Sequence, residues 1–127
     1  MARTNTLHRW LPVVVGLCLL CMLSSAILAW LEVRAWQQLG KQLGIEATHA
    51  ALDDHIIHTV IKSGMPRQEV HLKLDSIAPN VTHQLLPLSS KTCEIVFFSI
   101  GPIPILEPGY DICYTLEDEL IYISTVD

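Results

Sequence analysis

Hydrophobic and polar positions divide the chain into stretches of different texture. From Leu11 to Leu31 the sequence LPVVVGLCLLCMLSSAILAWL carries no charge over 21 residues. At about 1.5 Å rise per residue this run matches the roughly 30 Å hydrocarbon thickness of a bilayer. Trp10 and Trp30 flank it, where amphipathic rings suit the two water interfaces. Pro12 falls in the first turn, where a missing N–H costs nothing. The pattern predicts a single transmembrane anchor over 11–31. Residues 32–44, EVRAWQQLGKQLG, then put Trp36, Leu39 and Leu43 on one helical stripe that Gly40 and Gly44 weaken. This reads as a frayed or bent juxtamembrane stalk helix.

From residue 45 the pattern is that of a small folded domain. In IEATHAALDDHIIHTVIKSG, Ala47, Ala50, Ala51, Ile57, Val60 and Ile61 form a broad apolar side, with Asp53, Asp54 and Lys62 elsewhere. Gly64 suits the left-handed residue that closes such a helix. Pro66 suits the first position of a second helix, carried by Val70, Leu72, Leu74 and Ile77 and ending near Asp75. Beyond it, VTHQLLPL (81–88) predicts a weak strand that Pro87 confines to an edge. CEIVFFSI (93–100) and YDICYTL (110–116) predict strands from their β-branched, aromatic and alternating residues. Three prolines in GPIPILEPG mark a loop between them, and EDE at 117–119 turns the chain into a final strand, LIYISTV.

The fold class that follows is α+β: an N-terminal single transmembrane helix, then two helices packed on a three- or four-stranded antiparallel sheet. The organisation is a cytoplasmic tail (1–10), an anchor (11–31), a stalk (32–44) and an extracytoplasmic domain (45–127). Arg3 and Arg9 before the apolar run keep the N-terminus cytoplasmic and the domain outside the plasma (inner) membrane. The alternative is a cleaved signal peptide, with SSA at Ser24–Ala26 as its cleavage site and a secreted product. Five further apolar residues, Ile27 to Leu31, favour the anchor.

Charge narrows the function classes. The first 31 residues hold only Arg3 and Arg9, whereas residues 32–127 hold six Lys or Arg against thirteen Asp or Glu, a net of −7. An acidic surface without a basic stripe repels phosphate backbones, which argues against nucleic acid as a partner. No nucleophile–base pairing, phosphate loop or zinc-protease spacing occurs, so no catalytic residue and no cofactor is assigned. Cys18 and Cys21 spell C-x-x-C inside the apolar run, where thiolates form poorly, and read as small apolar filler.

Cys93 and Cys113 are the remaining cysteines. Strands pairing about an apex near Ile103 would set them opposite each other. They are a candidate disulfide in an oxidising compartment, with two half-buried thiols as the alternative. Asp54, His55 and His58 share a helical turn and could hold a metal only with a third donor from elsewhere. His71 and His83 stand alone, and NVT at Asn80 is a glycosylation sequon on a loop. Ile103, Ile105 and Leu106 on the proline-stiffened loop are the candidate contact for a protein partner in the envelope. Two functions are therefore expected. The first is a membrane-tethered, non-enzymatic interaction or accessory domain; the second is a ligand- or metal-sensing domain using the His55/His58 face.

The run Ile61, Gly64, Met65, Pro66, Arg67, Gln68, Glu69, Val70 and Leu74 resembles the signature of the SmpA/OmlA (BamE) family of small bacterial lipoproteins. Over 45–127 the resemblance implies two helices against an antiparallel sheet, as in β-lactamase-inhibitor-protein-like domains, in an extracytoplasmic setting. The family's Leu-Gly-x-Pro is replaced by Leu74, Asp75, Ser76, Ile77, Ala78 and Pro79, and no lipobox precedes the domain. A role in outer-membrane assembly is not carried over, nor is any functional residue.

Overall fold

A computed structural model describes residues 4–78, 80–86 and 92–126. Its first element, α1 (Thr4–Leu43), is one helix of 40 residues. At about 1.5 Å per residue it is some 60 Å long, about twice a hydrocarbon core. Burial divides it: the apolar stretch is not buried, whereas Glu32, Trp36 and Leu39 are buried. Residues 32–43 are therefore not a frayed or bent stalk. They continue the helix without a break and form part of the domain core. Gly40 is accommodated inside the helix, and Gly44, at φ 69°, ends it. The Ile45 N–H returns to the Gly40 carbonyl at 3.0 Å, the bond that typifies a left-handed helix stop.

The helix α2 (His49–Asp54) starts at Thr48, whose hydroxyl accepts the Ala51 N–H, and runs on into a π-helical turn, His55–Val60. Leu52 and Ile56 enter the core, while Ala47 and Ala50, expected inside, are exposed. Ile61 is already extended, so Gly64 does not close this helix. Its φ of 81° instead serves a turn in which the Met65 N–H bonds to the Lys62 carbonyl at 3.2 Å. Pro66 is the extended residue just before α3 (Arg67–Asp75), not its first turn. The link 64–67 thereby pairs with the later hairpin: Gly64 N to Leu120 O at 2.9 Å and Arg67 N to Asp118 O at 2.8 Å. Of the side expected for α3, Val70 and Leu74 are buried and Leu72 is exposed.

Four strands form an antiparallel sheet in sequence order: β1 (Val81–Leu86), β2 (Thr92–Phe98), β3 (Gly109–Tyr114) and β4 (Leu120–Thr125). β1 is an edge strand, as its sequence predicts, although Pro87 lies outside the described residues. β2 and β3 pair from Thr92↔Tyr114 to Phe97↔Gly109, a register centred on Ile103. One sheet face carries Val96, Phe98, Tyr110, Ile112 and Tyr114 into a core closed by Trp36, Leu39, Leu52, Ile56, Val70 and Leu74. The last turns of α1, α2 with its π-helical turn, and α3 all supply that core. The fold is thus α+β: a long N-terminal apolar helix, two shorter helices and a four-stranded antiparallel sheet.

Candidate functional site

Strand alternation puts a carboxylate among the apolar residues of β2. Glu94 shares the inward face with Val96 and Phe98 and is only 1 % exposed. A charge so placed must be paired, and α3 supplies the partners from one side. Arg67, His71 and Asp75 recur every four residues, a polar stripe beside the buried Val70 and Leu74. His71 Nε2 donates to Glu94 Oε1 at 2.6 Å, and the Tyr114 hydroxyl donates to the same oxygen at 2.7 Å. Arg67 Nη2 lies 3.6 Å from Glu94 Oε2, and its Nη1 lies 3.7 Å from Asp118 Oδ1. Its guanidinium also sits over the Tyr114 ring. Burial, and then the Glu94 hydrogen bond and charge, push the Tyr114 hydroxyl far above the usual tyrosine range.

β1 brings the last member. His83 stacks on His71 with ring centroids 4.1 Å apart and donates from Nε2 to Asp75 Oδ1 at 2.7 Å. In a neutral ring that donation leaves Nδ1 as an acceptor, 3.9 Å from Glu94 Oε2. Both atoms are buried and neither has a hydrogen-bond partner. Beside them opens a cavity of about 490 Å³, lined by Arg67, His71, Asp75 and Asp118 among others.

A second polar contact holds the proline-rich loop. Glu32, 6 % exposed, accepts the Trp36 indole N–H at 3.0 Å and the Ile103 backbone N–H at 3.1 Å. A Cβ on Gly101 would collide with this carboxylate, so the close approach requires glycine there. Pro104–Leu106 form a short 3₁₀ turn that presents Ile105 at 89 % exposure and Leu106 at 40 %. Of the three residues expected to meet a partner, Ile103 thus binds α1 through its backbone, and two project.

The other candidates are dispersed. Cys93 and Cys113 face each other across β2 and β3, and their sulfurs are bonded at 2.06 Å on the helix-free side of the sheet. His58 pairs with Asp54 at 3.8 Å, both well exposed. Among the described residues, the only three His, Cys, Asp or Glu side chains with donor atoms within 4.8 Å of one another are His71, His83 and Glu94. The His55/His58 face therefore gains no third donor there. Asp53, expected on the solvent side, accepts the Tyr110 hydroxyl at 2.5 Å. Asn80 is exposed, and Cys18 and Cys21 lie on the unburied part of α1.

The chain matches no protein-family model, no curated protein and no solved structure. Its site therefore has to be read from its own chemistry. Sequence reasoning took His71 and His83 as isolated. The signal that links them was the four-residue spacing of Arg67, His71 and Asp75, together with an acidic residue in a β-branched and aromatic strand.

Proposed function

We propose that this chain is a single-pass membrane protein whose α+β domain, outside the plasma membrane, works as a non-enzymatic accessory or interaction module. The observation that carries this reading is the continuity of α1. An uncharged, unburied run ends at Leu31, and the very next residue, Glu32, is buried in the domain. The domain would therefore sit on the membrane surface with no spacer. The short helices followed by an antiparallel sheet agree with the arrangement that the BamE-like motif implies, and the envelope setting is proposed partly on that footing.

In this position the loop tip has a natural neighbour. Ile103 binds Glu32, and Leu106 lines one cavity with Glu32 and Val33, so Ile105 and Leu106 lie at the depth where the apolar run ends. Their exposed side chains would enter the headgroup region, where apolar groups leave water at low ordering cost. A protein partner is left the helix-free face of the sheet. Ile95 and Phe97 are half-buried there, Tyr122 is exposed, and Asp111 carries an enclosed carboxylate oxygen without a hydrogen-bond partner.

Two measurements test the reading. The intact mass of the membrane-extracted chain should include residues before Ala26, and external protease should reach the domain in spheroplasts. A soluble product starting near Ile27 would refute the anchor. A nitroxide at Ile105→Cys, with Cys18 and Cys21 replaced by alanine, should collide with lipid-soluble oxygen more than with an aqueous nickel chelate. The opposite order would hand the loop to a protein partner.

A further inference from the structure

The contact between His83 and Glu94 is paradoxical as it stands. With its Nε2 proton held by Asp75, His83 turns the Nδ1 lone pair toward Glu94 Oε2, so two buried acceptors face each other 3.9 Å apart. A proton on Nδ1 would make the contact an ion pair, but at 3.9 Å both atoms would still lack a hydrogen bond. A cation bound at about 2.0–2.1 Å from each atom would nearly span that gap.

We propose that His71 Nε2, His83 Nδ1 and the Glu94 carboxylate form a binding site for a zinc-class divalent cation. The three donors come from α3, β1 and β2 and lie within 4.8 Å of one another. Neighbouring donors on a tetrahedral ion of this size are about 3.3 Å apart. The observed separations of 2.6 Å from His71 Nε2 to Glu94 Oε1 and 3.9 Å from His83 Nδ1 to Glu94 Oε2 bracket that value. Two imidazoles and one carboxylate suit zinc better than calcium or magnesium, which prefer all-oxygen shells.

The surroundings are those of a supported site. Asp75 orients His83 through Nε2, the usual arrangement of a carboxylate behind a metal-bound imidazole. Tyr114 fixes the Glu94 carboxylate. Arg67, 3.6 Å from Glu94 Oε2, competes for the same charge but has Asp118 as a second partner and can remain there when the ion binds. The cation takes the place of the His71 Nε2 proton, and the ring, binding as a neutral imidazole, carries its single proton on Nδ1 after exchange with solvent. His71, alone of the three donors, lines the open cavity, which gives water or a partner's donor a route toward the ion.

The test uses the full chain in detergent micelles, stripped with chelator and titrated calorimetrically with zinc chloride, with cobalt absorption reporting geometry. One ion per chain should bind, with a tetrahedral cobalt spectrum. His71→Gln and His83→Gln should abolish binding, whereas a His55→Ala/His58→Ala double variant should bind as the parent does. Asp75 is exposed, so Asp75→Asn tests the site without threatening the fold, and it should weaken binding about 10–100-fold. Lack of saturable binding by the folded parent, or affinity unchanged in Asp75→Asn and His83→Gln, overturns the site. Neither outcome bears on the membrane reading, which rests on other residues.

Discussion

Replacing Glu32 by alanine probes the joint between the long helix and the domain. The carboxylate accepts two hydrogen bonds, from the Trp36 indole at 3.0 Å and from the Ile103 amide at 3.1 Å. A hydrogen bond to a charged group contributes about 1.5–3 kcal/mol, and a buried donor left unpaired costs a similar amount. Relief of the buried charge offsets part of the loss, so the domain should lose about 2–4 kcal/mol. For a domain of this size that is a fall in Tm of roughly 10–30 °C. The local effect is sharper. The bond to Glu32 ties the Ile103 amide to α1, and losing about 2 kcal/mol there should speed its hydrogen exchange about 30-fold. Exchange read by mass spectrometry on a peptide covering 101–108 measures it in the full chain. Glu32→Gln keeps one acceptor and should fall between. Unchanged loop exchange in Glu32→Ala, with the sheet amides still protected, would show that the loop is held by something else and refute the reasoning.

Gly101→Ala should reproduce the loop exchange of Glu32→Ala, because its methyl group would push the same carboxylate away; normal exchange would mean that the loop backbone yields instead. Reducing Cys93–Cys113, which are 20 residues apart in sequence, should cost on the order of 3 kcal/mol in urea unfolding. A midpoint unmoved by reductant would contradict that cost. Alkaline pH should also destabilise the domain. Burial, and then hydrogen bonding to Asp53 and Glu94, raise the Tyr110 and Tyr114 hydroxyls far above their ordinary value of 10.0. Their contribution is fully present below pH 10 and declines above it, as the unfolded chain ionises while the folded chain keeps its protons. The slope is about 1.4 kcal/mol per pH unit for each tyrosine. Tyr114→Phe should remove one such increment between pH 10 and 11, and an unaltered slope would refute the assignment.

What could be read in the sequence was whatever depends on local alternation and on hairpin arithmetic. The apex near Ile103 correctly set Cys93 opposite Cys113, because a loop closing two strands fixes every pair along them. The four strands and the end of α3 at Asp75 were legible for the same reason. Gly64 and Pro66 were recognised as a break but given the wrong duties. The backbone N–H groups of Gly64 and Arg67, on either side of Pro66, pair with Leu120 and Asp118, more than fifty residues away, and no local rule reaches that far. The buried side of α2 was misjudged because the larger Leu52 and Ile56, four residues apart, face the core, while the small Ala47 and Ala50, counted as apolar, lie exposed at its start. Glu94 escaped notice because its meaning depends on three other elements. In the sequence it is one acidic residue in a strand, and only the packing of α3 across β1 and β2 turns it into the centre of a buried polar cluster.

The unbroken passage of α1 from apolar run to domain core has a mechanical consequence. A flexible tether would let a domain tumble independently of its anchor, but here about 18 Å of the same helix, from Glu32 to Leu43, is embedded in the core. If α1 is the anchor proposed above, its rotation about its axis would carry the sheet round with it, and any tilt imposed by a thinner bilayer would rock the domain through the same angle. The helix would then act as a crankshaft, converting the thickness and crowding of the membrane into the direction in which the outer face of the sheet points.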